Sequence, residues 1–240
     1  MNVASTRYRV IMPAAGSGKR MVAAEKPKQY LELFGKTVIE WALSCFINDE
    51  RCTGVVVALA KDDEYWSLLP SSKHPKIRTV TGGAERVDSV RNGLLLLQGA
   101  AALKAMAGEW ILVHDAARPC LQRSDVDALL AAVSADEGLA GGLLATPVAD
   151  TLKQSDDKQR VTHTVPRNHL WRAQTPQMFR FDVLHRALHS AHASRVTDES
   201  SAVELLGYQP RIVAGRADNI KITVTDDLRL AEHILRSGTS

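Results

Sequence analysis

Aromatic residues are scarce in this sequence of 240 residues, in which Phe, Tyr and Trp together account for 5%. That share is too small for a platform on which successive nucleic-acid bases stack. A strong charge of one sign is also lacking, because the formal net charge is only +3. Such a chain has no strong field toward nucleic acid or a membrane surface, so ligand-binding basic residues must be clustered locally. We therefore expect neither nucleic acid nor a membrane among the partners.

Cysteine is scarce as well. The three cysteines, Cys45, Cys52 and Cys120, are too widely spaced for a C-x-x-C zinc motif, and their odd number argues against a disulfide framework. The first nine residues lack the apolar run of a signal peptide, and no apolar stretch is long enough to span a bilayer. These absences predict a protein of the reducing cytoplasm.

The composition is otherwise that of a globular protein, with 45% hydrophobic and 24% charged residues. Short β-branched runs alternate with longer segments of helical periodicity. This alternation predicts an α/β fold with a mostly parallel sheet, helices on both faces and right-handed crossovers. The predicted strands are 8–12, 54–59, 77–80, 110–113, 141–145 and 220–224. The predicted helices are 37–47, 62–69, 85–98, 124–133, 181–189, 199–206 and a last one from residue 226. Thr37 and Ser124 are the predicted N-caps of two of these helices.

One stretch interrupts this rhythm. Two short β-like runs, 150–153 and 161–165, flank the polar turn 155–158, a pattern typical of a projecting β-hairpin. No repeat or linker divides the sequence. We therefore predict one domain over residues 1–240 that carries a hairpin arm at 150–168.

A glycine-rich loop, residues 13–21, directly follows the first predicted strand. Its small residues let backbone N–H groups approach an anion, and Lys19 and Arg20 add positive charge. It is not a P-loop, because Pro13 stands where the first glycine is needed and Arg20 replaces the hydroxyl residue; Met21 likewise breaks a dinucleotide fingerprint. From this loop alone, phosphate binding and a flexible turn with solvated charges are equally acceptable interpretations.

Two further charged segments accompany the loop. Lys28 follows the rigid Pro27 and can hold its ammonium group at a fixed point, although by itself it reads as a surface lysine. Asp115 and Arg118 follow the predicted strand 110–113, at the edge where open α/β sheets bind ligands. There an aspartate can hold a divalent metal and an arginine can contact phosphate. The alternative is that Asp115 only caps a turn and pairs with Arg118. We favour a ligand site, because the glycine loop follows another strand of the same predicted sheet.

Seven segments together resemble the motifs of the 2-C-methyl-D-erythritol 4-phosphate cytidylyltransferases over almost the whole length of the chain. They are Pro13-Ala14-Ala15-Gly16-x-Gly18-x-Arg20-Met21, Pro27-Lys28-Gln29-Tyr30, Gly82-Gly83-x-Glu85-Arg86-x-x-Ser89-Val90, Val113-His114-Asp115-Ala116-Ala117-Arg118-Pro119, Thr175-Pro176-Gln177, Thr197-Asp198-Glu199 and Ala217-Asp218-Asn219-Ile220-Lys221. Each is modest evidence alone, and seven in this order are highly specific.

The resemblance implies a Rossmann-like nucleotidyltransferase fold, a divalent metal, usually Mg²⁺, and a homodimer joined through its hairpin arms. It also implies roles for the matching residues. Those expected to bind the nucleotide are Ala14, Ala15, Gly16, Gly18, Gly82, Gly83, Ser89 and Ala116. Those expected to take part in catalysis are Arg20, Lys28, Asp115 and Lys221. Those expected to surround the methylerythritol phosphate are Asp115, Arg118, Thr151, Arg167, Thr175, Thr197 and Lys221. The expected metal ligands are Asp115 and Asp218.

The implied reaction transfers CMP from CTP to 2-C-methyl-D-erythritol 4-phosphate. A substrate phosphate oxygen attacks the α-phosphorus and pyrophosphate leaves in line. Both reactants are anionic, so Arg20, Lys28, Lys221 and Mg²⁺ would offset charge repulsion without a covalent enzyme intermediate. An ionised phosphate needs no general base, so no catalytic histidine is expected. The chain carries Ala84 where many relatives have an acid, which removes a side-chain contact to the nucleotide.

Two alternatives stay open. One is the same reaction on another polyol phosphate, such as ribitol 5-phosphate, because related enzymes share the glycine loop and the Asp115 motif. The other is a non-catalytic nucleotide-binding regulator. The joint presence of Lys28, Asp115 and Lys221 argues against a regulator, since nucleotide binding alone needs only the loop.

We assign no function to two further groups of polar residues. His185, His189 and His192 share a predicted helical face, but no carboxylate or cysteine stands at ligand spacing, so we expect a solvated surface. Glu199 and Glu204 read as ordinary helix residues.

Overall fold

The computed structural model describes residues 6–16, 26–99, 106–190 and 196–238. Strands in these ranges are β1 (Tyr8–Pro13), β2 (Glu32–Leu33), β3 (Lys36–Thr37), β4 (Cys52–Leu59), β5 (Ile77–Thr81), β6 (Trp110–Val113), β7 (Gly141–Pro147), β8 (Leu152–Ser155), β9 (Val161–Val165), β10 (Trp171–Arg180) and β11 (Arg211–Ala214). The α-helices there are α1 (Val38–Ile47), α2 (Arg86–Gln98), α3 (Arg123–Ser134), α4 (Phe181–Leu188), α5 (Glu199–Glu204) and α6 (Thr225–Ser237). Short 3₁₀ helices lie at Lys28–Tyr30, Trp66–Leu68 and Pro70–Lys73.

The central sheet has seven strands in the order β11-β7-β10-β6-β1-β4-β5. β10 runs antiparallel to both of its neighbours, and the other neighbouring pairs are parallel. The predicted mostly parallel sheet is therefore confirmed. The carboxyl ends of β1, β4, β5 and β6 lie at one edge, which is where ligands bind in open α/β sheets.

Helices cover both faces of this sheet, as predicted. Side chains alternate along a strand, so in β1 Val10 and Met12 belong to one core cluster and Ile11 to another. The first cluster also contains apolar side chains of α1 and α3, and the second contains those of α2, α4 and α5. Burial on both faces explains why β6, with the sequence Trp-Ile-Leu-Val, reads as a continuous apolar run.

Two local predictions are confirmed. Thr37 precedes α1 as its N-cap, and its backbone N–H donates to Glu40 Oε2 at 3.1 Å. The hairpin is present, because β8 and β9 pair antiparallel. In its turn Asp156 Oδ1 accepts the N–H groups of Lys158 and Arg160, each at 2.9 Å. The arm is largely exposed to solvent.

The predicted helix at 62–69 is wrong. This segment contains only the short 3₁₀ helix Trp66–Leu68, and a second one, Pro70–Lys73, follows it. Asp63 Oδ1 accepts the backbone N–H of Trp66 at 2.8 Å, which closes a local turn of the kind that aspartate favours. Pro70 then disfavours helical backbone in the residue before it.

The predicted cap Ser124 is also wrong. α3 begins one residue earlier, at Arg123, and its N-cap is Gln122. The N–H of Gln122 donates to Asp125 Oδ2 at 3.1 Å, so the acid in the first turn fixes the start of the helix. Within the described ranges no helix has both the length and the apolar character needed to cross a bilayer.

The predicted strand at 220–224 is wrong too, and β10 and β11 were not predicted. Residues 220–224 run irregularly across the carboxyl edge of the sheet, where the Ile222 N–H donates to the Ala117 carbonyl at 2.8 Å. β10 contains Gln174-Thr175-Pro176-Gln177, and polar side chains with a proline are typical of a turn. Gln174, Thr175 and Gln177 are nevertheless buried, and this strand lies inside the sheet between β7 and β6.

Candidate active site

A crevice opens at the carboxyl edge of the sheet, among the segments that follow β1, β5 and β6. The 3₁₀ helix at Lys28–Tyr30 and the segment before α6 complete its wall. The crevice is lined by Pro13, Ala14, Ala15, Gly16, Lys28, Gln29, Gly83, Ala84, Glu85, Arg86, Ser89, Asp115, Ala116, Ala117 and Lys221. The fold thus brings together most of the predicted nucleotide-binding and catalytic residues from distant parts of the chain. The predicted site residues Gly18 and Arg20 lie outside the described residues.

The first part of the glycine-rich loop is anchored by Gln29. The Gln29 amide nitrogen donates to the carbonyl of Ala14 at 2.8 Å and to that of Gly16 at 3.2 Å. The Ala14 N–H in turn donates to the Ala58 carbonyl at 2.8 Å. Residues 13–16, the described part of the loop, therefore continue β1 into the crevice and are held there by Gln29 and Ala58.

The Gly82-Gly83 pair packs too closely for any side chain. A Cβ atom on Gly82 would lie 2.5 Å from the Ala15 Cβ and 2.8 Å from Ser89 Oγ, and one on Gly83 would lie 2.1 Å from the Asp88 Cβ. Ser89 Oγ accepts the Gly83 N–H at 3.1 Å. This wall of the crevice is therefore built from backbone, with Ala84 presenting a methyl group beside it.

Asp115 is the buried acid of the crevice, with 7% of its surface exposed. Its N–H donates to Thr175 Oγ1 at 3.0 Å, which fixes its backbone against β10. Its Oδ1 lies 2.9 Å from Arg86 Nε, and its Oδ2 lies 2.7 Å from Lys221 Nζ. Arg118 Nε is more distant from Oδ2, at 4.0 Å. The carboxylate therefore pairs with Arg86 and Lys221, and not chiefly with Arg118 as in the turn-cap alternative.

Burial opposes ionisation of Asp115, but Arg86, Lys221 and Arg118 outweigh it and hold the pKa of this carboxyl well below its usual range. The neighbouring His114 is fully buried, and burial lowers the pKa of its imidazole to about 4. Asp115 is therefore an anion and His114 is neutral at neutral pH. The crevice therefore combines a buried, permanently ionised carboxylate with several cations.

Lys28 and Lys221 are both positioned by the segment that precedes α6, to which Lys221 itself belongs. Lys28 Nζ donates to the Ile222 carbonyl at 2.9 Å. That segment is itself fixed by Asn219, whose side-chain amide donates to the Thr175 carbonyl at 2.9 Å and whose carbonyl accepts from Arg118 at 2.6 Å. The position of each lysine thus depends on contacts between residues more than 40 positions apart.

The residues predicted to surround the methylerythritol phosphate fall into two groups in the structure. Arg118 and Thr175 are buried beside Asp115. Thr151, Arg167 and Thr197 are exposed and do not line the crevice of their own chain. The guanidinium of Arg167 donates to the Ala149 carbonyl at the base of the arm.

The two predicted metal ligands are separated as well. Asp218 is paired with Arg216, whose Nε lies 2.8 Å from Asp218 Oδ1, and it does not line the crevice. Among the described residues, no three His, Cys, Asp or Glu side chains form a metal-binding group. Mg²⁺ commonly uses one or two carboxylates with substrate phosphates and water. The carboxylates of Asp115 and Glu85, which both line the crevice, fit a Mg²⁺ ion that enters bound to a triphosphate.

Arg86 and Glu199 were missed as site residues. Arg86 lines the crevice and pairs with both Asp115 and Glu199. Glu199, expected to be an ordinary helix residue, is 1% exposed. Both residues stand inside matching motifs, but an ion pair that spans 113 positions leaves no periodic signal in the sequence.

Comparisons with known proteins agree with this geometry. Residues 8–237 match the family of 2-C-methyl-D-erythritol 4-phosphate cytidylyltransferase. The enzyme of that name from Pseudomonas putida KT2440 is 52% identical over 222 residues, which cover 91% of each chain. The relative from Pseudomonas aeruginosa PAO1 is also 52% identical, over 220 residues, which cover 91% of this chain and 92% of that protein.

Solved structures give the same result. A crystal structure of 4-diphosphocytidyl-2C-methyl-D-erythritol synthase superposes with a TM-score of 0.80 and 36% identity, covering 96% of this chain and 99% of the other. The Francisella tularensis 2-C-methyl-D-erythritol 4-phosphate cytidylyltransferase superposes with a TM-score of 0.79 and 33% identity, covering 95% and 99%. The predicted Rossmann-like nucleotidyltransferase fold is confirmed. This chain therefore belongs to the 2-C-methyl-D-erythritol 4-phosphate cytidylyltransferase family and is a cytidylyltransferase.

Proposed function

We propose that the crevice around Lys28, Asp115 and Lys221 transfers CMP from CTP to 2-C-methyl-D-erythritol 4-phosphate, as a step of isoprenoid precursor synthesis. The products are 4-diphosphocytidyl-2-C-methyl-D-erythritol and pyrophosphate. One observation supports this proposal most strongly. At the carboxyl edge of the sheet, a pocket whose wall is formed by backbone lies next to two lysines and an ionised aspartate. A pocket that only bound a nucleotide would not need this second group.

The nucleotide lies against the small residues of the crevice. The base and ribose would contact Ala14, Ala15, Gly16, Gly83, Ser89 and Ala116, which line the crevice, and Gly82 would support this wall from behind, where it packs against Ala15 and Ser89. Because a side chain on either glycine would collide with its neighbours, the base would meet backbone groups here, and we expect these groups to pair with the edge of a cytosine. Ala84 leaves recognition at that point to the backbone.

The phosphates lie toward the lysines. A phosphate oxygen of the methylerythritol substrate forms a new bond to the α-phosphorus of CTP. The bond to pyrophosphate breaks in line, and pyrophosphate leaves with the electron pair. Lys28 and Arg20 hold the triphosphate, and Lys221 with Arg118 holds the attacking phosphate, so that fixed positive charge offsets the repulsion between the reactants.

Asp115 has two roles in this account. It holds Lys221 through the 2.7 Å ion pair, and its remaining lone pairs, with the phosphate oxygens of CTP, would hold Mg²⁺. When bound, this cation would neutralise developing charge on the triphosphate. Asp218 would join it only after release from Arg216. The incoming phosphate is largely ionised at neutral pH, so the neutral, buried His114 need not act as a base.

The second chain of a homodimer supplies the residues that are absent from this crevice. A two-stranded hairpin is marginally stable alone in water. The arm and its base expose apolar side chains, Val161 at 63% and Trp171 at 39%. Pairing of the arms would cover them and bring Thr151 and Arg167 to the partner's methylerythritol phosphate, with Thr197 at its border. Three free cysteines suit the reducing cytoplasm as the setting.

A pyrophosphate-release assay tests this function. Purified enzyme with CTP, Mg²⁺ and 2-C-methyl-D-erythritol 4-phosphate should release pyrophosphate, and omission of any one should abolish the release. Ribitol 5-phosphate in place of the methylerythritol substrate is the matched control. Equal or faster release with ribitol 5-phosphate would contradict the proposed substrate.

A further inference from the structure

Arg86 bridges two buried carboxylates from different parts of the fold. Its Nε lies 2.9 Å from Asp115 Oδ1, and its two terminal nitrogens lie 2.6 and 2.9 Å from the oxygens of Glu199. Asp115 follows β6 and lines the crevice, whereas Glu199 is the first residue of α5 and lies behind it. One guanidinium therefore connects the acid of the site to the body of the protein.

This arrangement holds Arg86 in one orientation. A guanidinium carries its donors in a rigid planar fork, and here three of its nitrogens face carboxylate oxygens. Burial disfavours the charged form, but Glu199 and Asp115 outweigh burial, and the pKa of Arg86 is raised above its ordinary value. Rotation of Arg86 would leave the Glu199 carboxylate, whose side chain is 1% exposed, without this partner, and an unpaired buried charge is strongly unfavourable.

The orientation of Arg86 also fixes Asp115. Arg86 forms an ion pair with Oδ1 of the Asp115 carboxylate, and Lys221 forms one with Oδ2. In the described part of the chain, the carboxylates that pair with Arg86 are those of Asp115 and Glu199. If Glu199 lost its charge, the two terminal nitrogens of Arg86 would lose their ion pair, and Arg86 could turn toward the phosphates of CTP instead. Asp115 would then lose one of its two close partners. Its carboxylate could move, and Lys221, which pairs with it, would no longer be held in one position.

We propose that Arg86 and Glu199 form a positioning pair, in which Glu199 holds Arg86 and Arg86 holds the Asp115 carboxylate for Lys221 and the reacting phosphates. This inference rests on the proposed function of the crevice. Neither residue touches the reacting atoms in this account, because both act through Asp115.

The test compares two single variants with their double variant. Glu199→Gln keeps the size of the side chain and removes its charge, and Arg86→Lys keeps the charge and removes the fork. Each should lower kcat by about 10- to 100-fold, as removal of groups that orient a functional residue does. The KM for CTP should stay within about threefold, because the groups proposed to contact the nucleotide, such as Gly83 and Ser89, are unchanged. The double variant should lose about as much as either single one, because the two residues act as a unit.

Arg51→Lys is the matched control. Arg51 is also a forked arginine, which donates to both oxygens of the buried Asp49 and to Asp127, but it lies at the amino ends of β1 and β4. This variant should lower the melting temperature and leave kcat unchanged. It separates a general loss of packing from a loss of positioning.

Each other outcome decides against the pair. If Glu199→Gln and Arg86→Lys behave like Arg51→Lys, the pair is only structural. If neither folds, as judged by circular dichroism, it serves the fold and not Asp115. If the double variant shows the product of the two losses, the residues act independently. Absence of pyrophosphate release by the wild type would instead refute the proposed function, so the two failures are distinguishable.

Discussion

Replacement of Asp115 by asparagine should destabilise the protein and raise its Mg²⁺ requirement together. A carboxylate accepts on both oxygens, and in Asp115 one faces Arg86 and the other faces Lys221. An asparagine offers one acceptor and turns its NH₂ group toward the other cation. Because Asp115 is buried, water does not readily replace the lost acceptor at this position.

The magnitude follows from this geometry. Removal of one partner from a buried ion pair costs about 3–5 kcal/mol. Lys221 is 41% exposed and can turn to water, and Arg86 keeps Glu199, so the lower end of about 3 kcal/mol applies here. For a chain of this size that loss lowers the melting temperature by about 6–12 °C. The same variant should need much more Mg²⁺ for half-maximal activity or be inactive, since a hard cation prefers a charged oxygen.

The pH dependence has a definite sign. The pKa of Asp115 is lower in the folded protein than in the unfolded chain. Its stabilising contribution is therefore complete above about pH 4, the ordinary aspartate pKa, and declines as the pH falls toward the lower folded value. The difference in melting temperature between wild type and Asp115→Asn should be constant from neutral pH down to about pH 5 and shrink below about pH 4.

Thermal unfolding followed by circular dichroism, with a Mg²⁺ titration of activity, measures both effects. Asp226→Asn is the control, because Asp226 is 89% exposed at the start of α6 and should lose at most about 1 kcal/mol. An Asp115→Asn variant as stable as the control, with the wild-type Mg²⁺ curve, would refute the reasoning.

The kcat/KM with CTP should exceed that with ATP or GTP by at least about a hundredfold, because a site that pairs polar groups with the edge of one base discriminates strongly against the others; comparable turnover of ATP would overturn the cytidylyl assignment. Gly82→Ala should raise the KM for CTP about tenfold or more, since its Cβ meets Ala15 and Ser89 and such overpacking costs about 1–3 kcal/mol; an unchanged KM in steady-state kinetics would exclude this wall from the nucleotide site. Inactive Lys28→Ala and Arg167→Ala chains, co-refolded in equal amounts, should recover about a quarter of wild-type activity, because about half of random dimers are mixed and one of their two sites is intact. No recovery, with mixed dimers verified by mass, would rule out the shared site.

The fold was predictable from the sequence where hydrophobic periodicity and burial agree. β1 and α1 are examples, since a β-branched run and a helical apolar stripe each match the face that they bury. β10 was not predictable on that basis, because its buried segment 174–177 is polar and contains a proline. Its hydrogen bonds come from partners distant in the sequence, such as Asn219, which no local pattern records.

The site was predictable where short motifs carry its residues. Lys28, Asp115 and Lys221 stand in such motifs, and the crevice brings them together. The Arg86–Glu199 pair could not be predicted, because it depends on α2 and α5 meeting in space. The position of Asp218 against Arg216 likewise depends on the course of an irregular segment.

The most direct test of the central claim follows the α-phosphorus of CTP. With CTP labelled at that phosphorus, the wild-type enzyme should transfer the label to 2-C-methyl-D-erythritol 4-phosphate and release unlabelled pyrophosphate. Lys28→Ala and Lys221→Ala should each lower kcat for this transfer by about two to three orders of magnitude, as loss of a preorganised cation does, without loss of the folded state. Lys73→Ala, which removes an exposed lysine from a 3₁₀ helix, should keep the wild-type rate. Near-normal label transfer by either the Lys28 or the Lys221 variant would contradict the account.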